Sequence, residues 1–339
     1  MKHMPLLSGI ALVLVCVGAG FGQAPDSSAT QQVEALARVQ IGGKWGFIDR
    51  TGKVVIPMQF EQASDFSEEL ASVTFGGKAG FIDKTGKMVI PAQFEGARSF
   101  YEERAMVSIS GKQAFIDKAG KVIAQFESIN SDFSEQRAAV IIDGKTGYID
   151  KAGRVVIAAK FEDAGAFFDQ RAAVWVGDKL GFIDRTGKVV IPPRFDGTYH
   201  FCEGLANVKI DGKMGFIDKN GKVIIAQLDN AGGFSEQLAS VNINGKWGFI
   251  DKTGKVVIPT QFEDAREFSE QFAAVKSGMK WGFINKTGKF VIPAKFESAG
   301  SFSEGLAAVG IGGKIGFIDK TGKVVIPSQF ETVGAFAKD

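Results

Sequence analysis

Tyr199-His200-Phe201-Cys202-Glu203 sets a thiol two residues from an imidazole, the pairing from which a nucleophile and its general base are made. Two recurring patterns also invite chemistry. Lysine returns at Lys44, Lys78, Lys112, Lys145, Lys179, Lys213, Lys246, Lys280 and Lys314, a row suited to a polyanion if the positions align. Asp-Lys-Thr-Gly, as at 251–254, offers a carboxylate in a tight turn, where calcium can bind.

Each pattern has a plainer reading that fits better. The Cys-His pair lies in one short loop whose sibling segments carry Ser67, Ser235 or Ser303 in place of the thiol, so it reads as substitution without catalysis. Each Asp turn supplies one carboxylate where calcium takes about six oxygens, and in one turn the residue is Asn285. That side chain is expected to cap its own turn. The lysine row is matched by Glu61, Glu95, Glu127, Glu162, Asp196, Asp229, Glu263, Glu297 and Glu331 at the same end of the strands. At the other end Lys252 and Lys255 are expected to face Asp251 and Glu270. With 40 basic and 38 acidic residues the formal net charge is +2, so the field nearly cancels. No nucleic-acid partner, metal, cofactor or catalytic activity is expected.

The elements behind these residues repeat. Gly-Phe-Ile-Asp or a near variant occurs nine times, its aromatic falling at Phe47, Phe81, Phe115, Tyr148, Phe182, Phe216, Phe249, Phe283 and Phe317. The steps are 34 residues except for two of 33. A fixed period of that length marks a repeat architecture. In the unit beginning at Leu238, residues 238–243 alternate as a half-buried strand, with Ser240 and Asn242 on the face turned from Ala239, Val241 and Ile243. Asn244-Gly245 is a two-residue hairpin turn. A second strand runs from Lys246 to Asp251, and a third from Lys255 to Ile258, ending at Pro259. The stretch to Phe268 carries the chain back, through a short fourth strand from Phe262 to Ala265 or through a helical turn. Strands two and three are apolar on both faces, so units must stack face to face. The glycine before each aromatic leaves room for a close neighbour. In both 33-residue steps a residue is missing just after the third strand, together with the proline, which marks that connection as a loop.

Composition agrees with a packed repeat. There are 30 Phe against 3 Tyr, which makes the aromatics core filler, and 43 Gly against 9 Pro, which suits many tight turns. Residues 1–23 read as a signal peptide, with an apolar run from Leu6 to Val17 followed by small residues; cleavage fits better after Gly22 than before Pro25. A lipidated Cys16 is the weaker reading, because Val15 precedes it. Residues 24–33 are a short linker and 34–339 the nine-unit domain. Cys202 is then the one cysteine left, so no internal disulfide is expected.

Gly-Lys-Trp-Gly-Phe-Ile-Asp-Lys-Thr-Gly-Lys-Val-Val-Ile-Pro at 245–259, followed by Phe-Ser-Glu at 268–270, resembles the bacterial WG-repeat (KWG) family across nearly all of residues 34–339. The resemblance implies a β-repeat protein of variable copy number and names no single activity. Its hallmark tryptophan is kept at Trp45, Trp247 and Trp281. These three are candidate ligand contacts, with packing between units as the competing expectation.

The expected fold is all-β: nine antiparallel meanders of about 34 residues, stacked as a propeller-like ring or an open β superhelix. The last unit stops after Phe336 with no distinct polar cap, which favours closure, whereas the first unit begins at its first strand near Leu36, so no strand visibly wraps round to lock a ring. The expected function is a non-catalytic binding scaffold, periplasmic or extracellular, for a protein or a cell-wall or surface glycan. Specificity would lie at the tryptophans or on the exposed face of the first strand. The alternative is a structural or self-assembling envelope component. After signal cleavage no integral membrane segment is expected.

Overall fold

A computed structural model describes residues 35–337. The expected leader at 1–23 and linker at 24–33 lie outside the described residues. So does Cys16, on which any disulfide of Cys202 turns.

The strands arise as the alternation predicts, but the unit of folding is offset from the unit of sequence. One four-stranded sheet joins Asn230–Ser235, Leu238–Ile243, Lys246–Asp251 and Val256–Phe262 in that order, all antiparallel. Its first member comes from the preceding repeat. The fourth strand of each repeat therefore pairs with the first strand of the next, and each sheet, or blade, is stitched from two repeats. Blades are numbered here by the repeat that supplies the remaining three strands. Nine such sheets are present among the described residues. In blade 4 the fourth-strand partner is reduced to a single bridge, Ile129 to Val140.

This offset closes the ring. Thr332–Val333, the last fourth strand, pairs with Ala37–Ile41 of the first repeat, with Val39 opposite Val333 and Gln40 opposite Thr332. Leu36 bridges to Ala337 beyond them. The sequence reading looked for a closing strand at the N-terminus; the C-terminus supplies it. The molecule is a nine-bladed β-propeller. The fourth strands Asp163–Phe168, Gly197–Cys202 and Asn230–Ser235 of blades 5, 6 and 7 touch in succession, and elsewhere fourth strands pack on the first strand of the preceding blade, with no comparable contact between successive third strands. The fourth strands thus surround the axis and the third strands form the rim.

Packing between blades repeats with the sequence. Phe249 of blade 7 meets Phe268 of blade 8 with ring centroids 4.8 Å apart, tilted edge to face. The same pair recurs at each junction described, from Phe47–Phe66 to Phe317–Phe336, the last spanning blades 9 and 1. A buried Phe contributes about 2–3 kcal/mol through area and up to ~1.5 more through such geometry. Beside most of these pairs a serine hydroxyl crosses the junction: Ser235 Oγ donates to the Phe268 carbonyl at 2.8 Å and Ser303 Oγ to that of Phe336 at 2.6 Å.

Four local expectations are corrected. The first strand is not half exposed, since Ser240 and Asn207 on its supposed outer face are 3% exposed, covered by the neighbouring blade. The third strand is buried on one side only: Ile258 is fully buried while Val256 and Val257 face solvent, as a rim strand should. It also does not stop at Pro259. It runs to Phe262 through a bulge in which Phe249 pairs with Ile258 and Trp247 with Phe262, two extra residues on the rim side. The glycine between those two, Gly248, faces that bulge rather than another unit: a Cβ there would lie 2.5 Å from the Ile258 carbonyl oxygen.

The short repeats follow from the same bulge. In repeat 3, Phe115 pairs with Ala124 and Gln113 with Phe126, so both bulge residues are gone and Ala114 replaces the glycine. One residue is regained in the following segment, where the fourth strand is lost. In repeat 6, Phe216 pairs with Ile225 and Met214 with Leu228, leaving one extra residue. The length change lies inside a strand, not in a loop.

Candidate functional site

The charged rows resolve into two belts that neutralise themselves. At one end of the strands Lys246 pairs with Glu263 at 3.1 Å, and Glu263 also accepts from the Gly278 N–H of the next blade. Lys179–Asp196 and Lys213–Asp229 repeat the ion pair. At the other end Glu203 accepts from the Gln237 N–H of the next blade and pairs with Lys252 at 3.0 Å. Lys252 thus faces an acid of the preceding blade, not Asp251 or Glu270; Glu270 takes Lys320. Exposed pairs of this kind are screened by solvent, so the belts set register and cancel charge more than they hold the ring.

The Asp-Lys-Thr-Gly turns are capped as expected. Asp251 Oδ1 accepts from Thr253 Oγ1 at 2.6 Å, Thr253 N–H at 2.9 Å and Lys255 N–H at 3.1 Å. The Thr253 hydroxyl, followed by the two backbone donors, holds the carboxyl below its ordinary range. The folded state therefore resists protonation longer than the unfolded chain. The stability this adds is present above the unfolded value near 3.8 and is lost as pH falls through the lower folded value. Asn285 makes the same three bonds in repeat 8. Asp251→Asn is thus expected to leave the melting temperature at pH 7 nearly unchanged and to lessen its fall as the pH drops below the unfolded value near 3.8, as read by circular dichroism. An unchanged acid fall would show that this turn does not contribute.

Of the residues singled out by type, His200 stacks on Phe168 with ring centroids 4.1 Å apart and keeps an open face to solvent. Desolvation by the protein around the ring lowers its imidazole pKa, with the Asp169 charge opposing. Cys202 is buried, its Sγ 3.0 Å from the Phe234 carbonyl oxygen, the place taken by serine hydroxyls at other junctions. Each has its own neighbour, and the geometry explains the sulfur as a variant of the serine contact. Trp281 is buried with Arg266 over its ring at 5.4 Å. Trp45 is half-buried beneath Arg38 at 5.0 Å, and Trp247 is half-buried against the blade 7–8 core. The three stand in blades 1, 8 and 7 and do not converge on one patch.

What does converge lies at the axis, where type and spacing gave no signal. Each inner segment carries two residues, or three in blade 4, between the position of Ala265 and that of Phe268. In blades 2 to 4 they include Asp65, Arg98 and Asp132; in blade 6, His200; in blades 7, 9 and 1 they are Gly232-Gly233, Gly300-Ser301 and Gly334-Ala335. Arg38 Nε donates to Asp65 at 2.9 Å, and its Nη1 to the Ala63 carbonyl at 2.7 Å. Arg98 lies 3.6 Å from Asp132 Oδ2, while Asp132 Oδ1 is buried and accepts no hydrogen bond from the described residues. Burial raises the pKa of both carboxyls, and their arginines oppose it. Tyr101 lies in the same field, its phenol raised by burial and then by Asp132 and Asp65. Gly334 is what admits this chain: a Cβ there would overlap Asp65 and the Arg38 side chain. The axis therefore mixes charged or polar side chains in blades 2, 3, 4 and 6 and in blade 8, which carries Arg266-Glu267, with small residues in blades 5 (Gly165-Ala166), 7, 9 and 1. A search for departures from the repeat at fixed register, rather than for motifs, would have found it.

The WG containing repeat model matches nine consecutive segments: 45–78, 80–112, 114–145, 147–179, 181–213, 214–247, 247–281, 281–314 and 315–339. The chain belongs to the WG-repeat family. In this WG-repeat chain the matched segments begin at or just beside the tryptophan position, two strands out of step with the blades. Among solved structures, a eukaryotic initiation factor aligns with TM-score 0.65 at 11% identity, covering 88% of this chain and 97% of that one. The dihydro-heme d1 dehydrogenase NirN in complex with DHE aligns with TM-score 0.49 at 12% identity, over 93% and 77%. The C-terminal WD40 domain of Sif2 aligns with TM-score 0.43 at 11%, over 77% and 93%. At these identities the first likeness is one of fold alone. No curated protein matches the chain. No helix of the described residues is long and apolar enough to cross a membrane.

Proposed function

We propose that this WG-repeat propeller is a non-catalytic, extracytoplasmic scaffold that binds a protein or a cell-wall or surface glycan through the charged part of the axial mouth on blades 2–4. The observation that carries the reading is the clustering of Asp65, Arg98 and Asp132 on the inner segments of blades 2–4, with Tyr101 in their field. A buried acceptor without a donor, Asp132 Oδ1, is suited to a ligand hydroxyl or amide. Arginine beside aromatic rings is the composition of binding hot spots. The extracytoplasmic part of the reading rests on the sequence of residues 1–23. Cell fractionation tests it, and retention of the full-length chain in the cytoplasm would count against it.

Arg98→Ala and Asp132→Asn are expected to weaken capture of surface proteins or purified cell-wall fragments about tenfold each, at unchanged melting temperature. Binding that survives both substitutions would move the site away from the axis. The self-assembling alternative has its own structural support, at the rim.

A further inference from the structure

A regular, unprotected strand edge invites a second strand, and natural sheets blunt their edges with prolines and bulges. Eight of the nine rims are blunted in this way. Their third strands carry the bulge opposite the strand-two glycine, as between the pairings of Trp45 and Phe47 or between those of Trp247 and Phe249. Most add a proline, such as Pro57, Pro259 or Pro327. Blades 4 and 6 lack the proline but keep a bulge. Blade 3 lacks the proline and the two extra residues: Val122–Phe126 pairs regularly through Ala124, Gln125 and Phe126, and its one irregularity falls between Val122 and Ala124.

The irregularities of the ring gather here. Where the equivalent Phe262 and Phe296 are 2% and 3% exposed, Phe126 is only half-buried. A cleft opens beside it, walled by Phe126, Ile141 and Ile142 with Lys112 and Asp143 at its margin. Val122 is 44% exposed, and Lys121, Gln125 and Glu127 are exposed around it. Neither Lys121 nor Glu127 has an ion pair among the described residues; the counterparts of Glu127 at Asp229, Glu263 and Glu297 are paired, while Lys255, the counterpart of Lys121, is unpaired as well.

We propose that the Val122–Phe126 edge pairs with the same edge of a second copy of this chain, antiparallel and two-fold symmetric about Ala124. The residues are complementary in that register. Lys121 of each copy meets Glu127 of the other, and Val122 meets Phe126, so each favourable pair occurs twice. The cleft beside Phe126 seats Val122 of the second copy. Ala124, where other repeats carry isoleucine, sits at the symmetry axis. The other rims are blocked, so pairing stops at a dimer.

Sedimentation equilibrium of the purified chain over a concentration series tests this. The expected result is a reversible rise from monomer towards twice the monomer mass. Lys121→Glu or Glu127→Lys alone is expected to weaken association about tenfold or more, since each introduces two like-charge pairs, and the double substitution is expected to restore it. Both residues are exposed, so the variants should fold. Amide exchange at residues 122–126 should slow as concentration rises. A monomer at every concentration overturns the proposal, as does a dimer that either single substitution leaves intact. Protection of 122–126 that follows an added partner protein while the chain stays monomeric overturns the second copy as occupant. Axial ligand capture is measured separately, and neither substitution touches that site.

Discussion

Phe336→Ala is expected to destabilise the protein as much as Phe268→Ala does, by about 3–5 kcal/mol in each case. The two residues are equivalent by repeat but not by position in the chain. Phe268 lies mid-sequence, is fully buried and packs on Phe249 at 4.8 Å. Phe336 belongs to the last segment of the chain, yet it is 1% exposed and packs on Phe317 at 5.0 Å. It shares one apolar cluster with Ala37, Val39 and Ile48 of the first repeat and Phe317 and Ile326 of the last. In an open array a terminal phenylalanine would have a neighbour on one side, and its truncation would cost little. Closure gives it two. Urea denaturation of both variants decides the matter: a loss below about 1 kcal/mol for Phe336→Ala beside a full loss for Phe268→Ala would contradict the ring.

Gly248→Ala is the second large effect, expected to cost about 3 kcal/mol although it adds one carbon. The added Cβ would lie 2.5 Å from the Ile258 carbonyl oxygen, 2.7 Å from Thr260 N and 2.8 Å from the Pro259 carbonyl carbon. All three are backbone atoms, so relief requires the rim strand to shift or the bulge to unwind. Repeat 3 supplies the control. There the bulge is absent, and Ala114 is fully buried with its strand regularly paired. Ala114→Gly is expected to change stability by about 1 kcal/mol, the cost of backbone freedom and a lost methyl. Denaturation midpoints of the two variants test the pair together. Equal, small losses would show that the bulge does not dictate the glycine.

That coupling of Ala114 to the shortened strand was present in the sequence but could not be read there. Three signals coincide in repeat 3: a lost proline, a changed length and an alanine for glycine. Sequence alone took the first two as a loop and had no reason to join the third, because the atoms that crowd Gly248 lie on a different strand. The candidate site was hidden for a related reason. Asp65, Arg98 and Asp132 are about one repeat apart and share no motif. They become neighbours only because fourth strands meet at the axis. The residues that did stand out, His200 and Cys202, are held by Phe168 and the junction beside Phe234.

The sequence by itself determined the repeat, its number, the strand alternation and the turn chemistry. These depend on contacts within a few residues: the hairpin at Asn244-Gly245, the cap on Asp251, the apolar period of each strand. It also determined that opposite charges would face each other, since Lys246 and Glu263 lie at the same end of adjoining strands. Tertiary structure decided which strands share a sheet and therefore whether the array closes. A fourth strand that pairs forward into the next blade leaves the first blade one strand short and the last strand unpaired, and the two needs meet at Val39 and Val333. No local signal can express that, because the free energy of closure belongs to two segments at opposite ends of the chain.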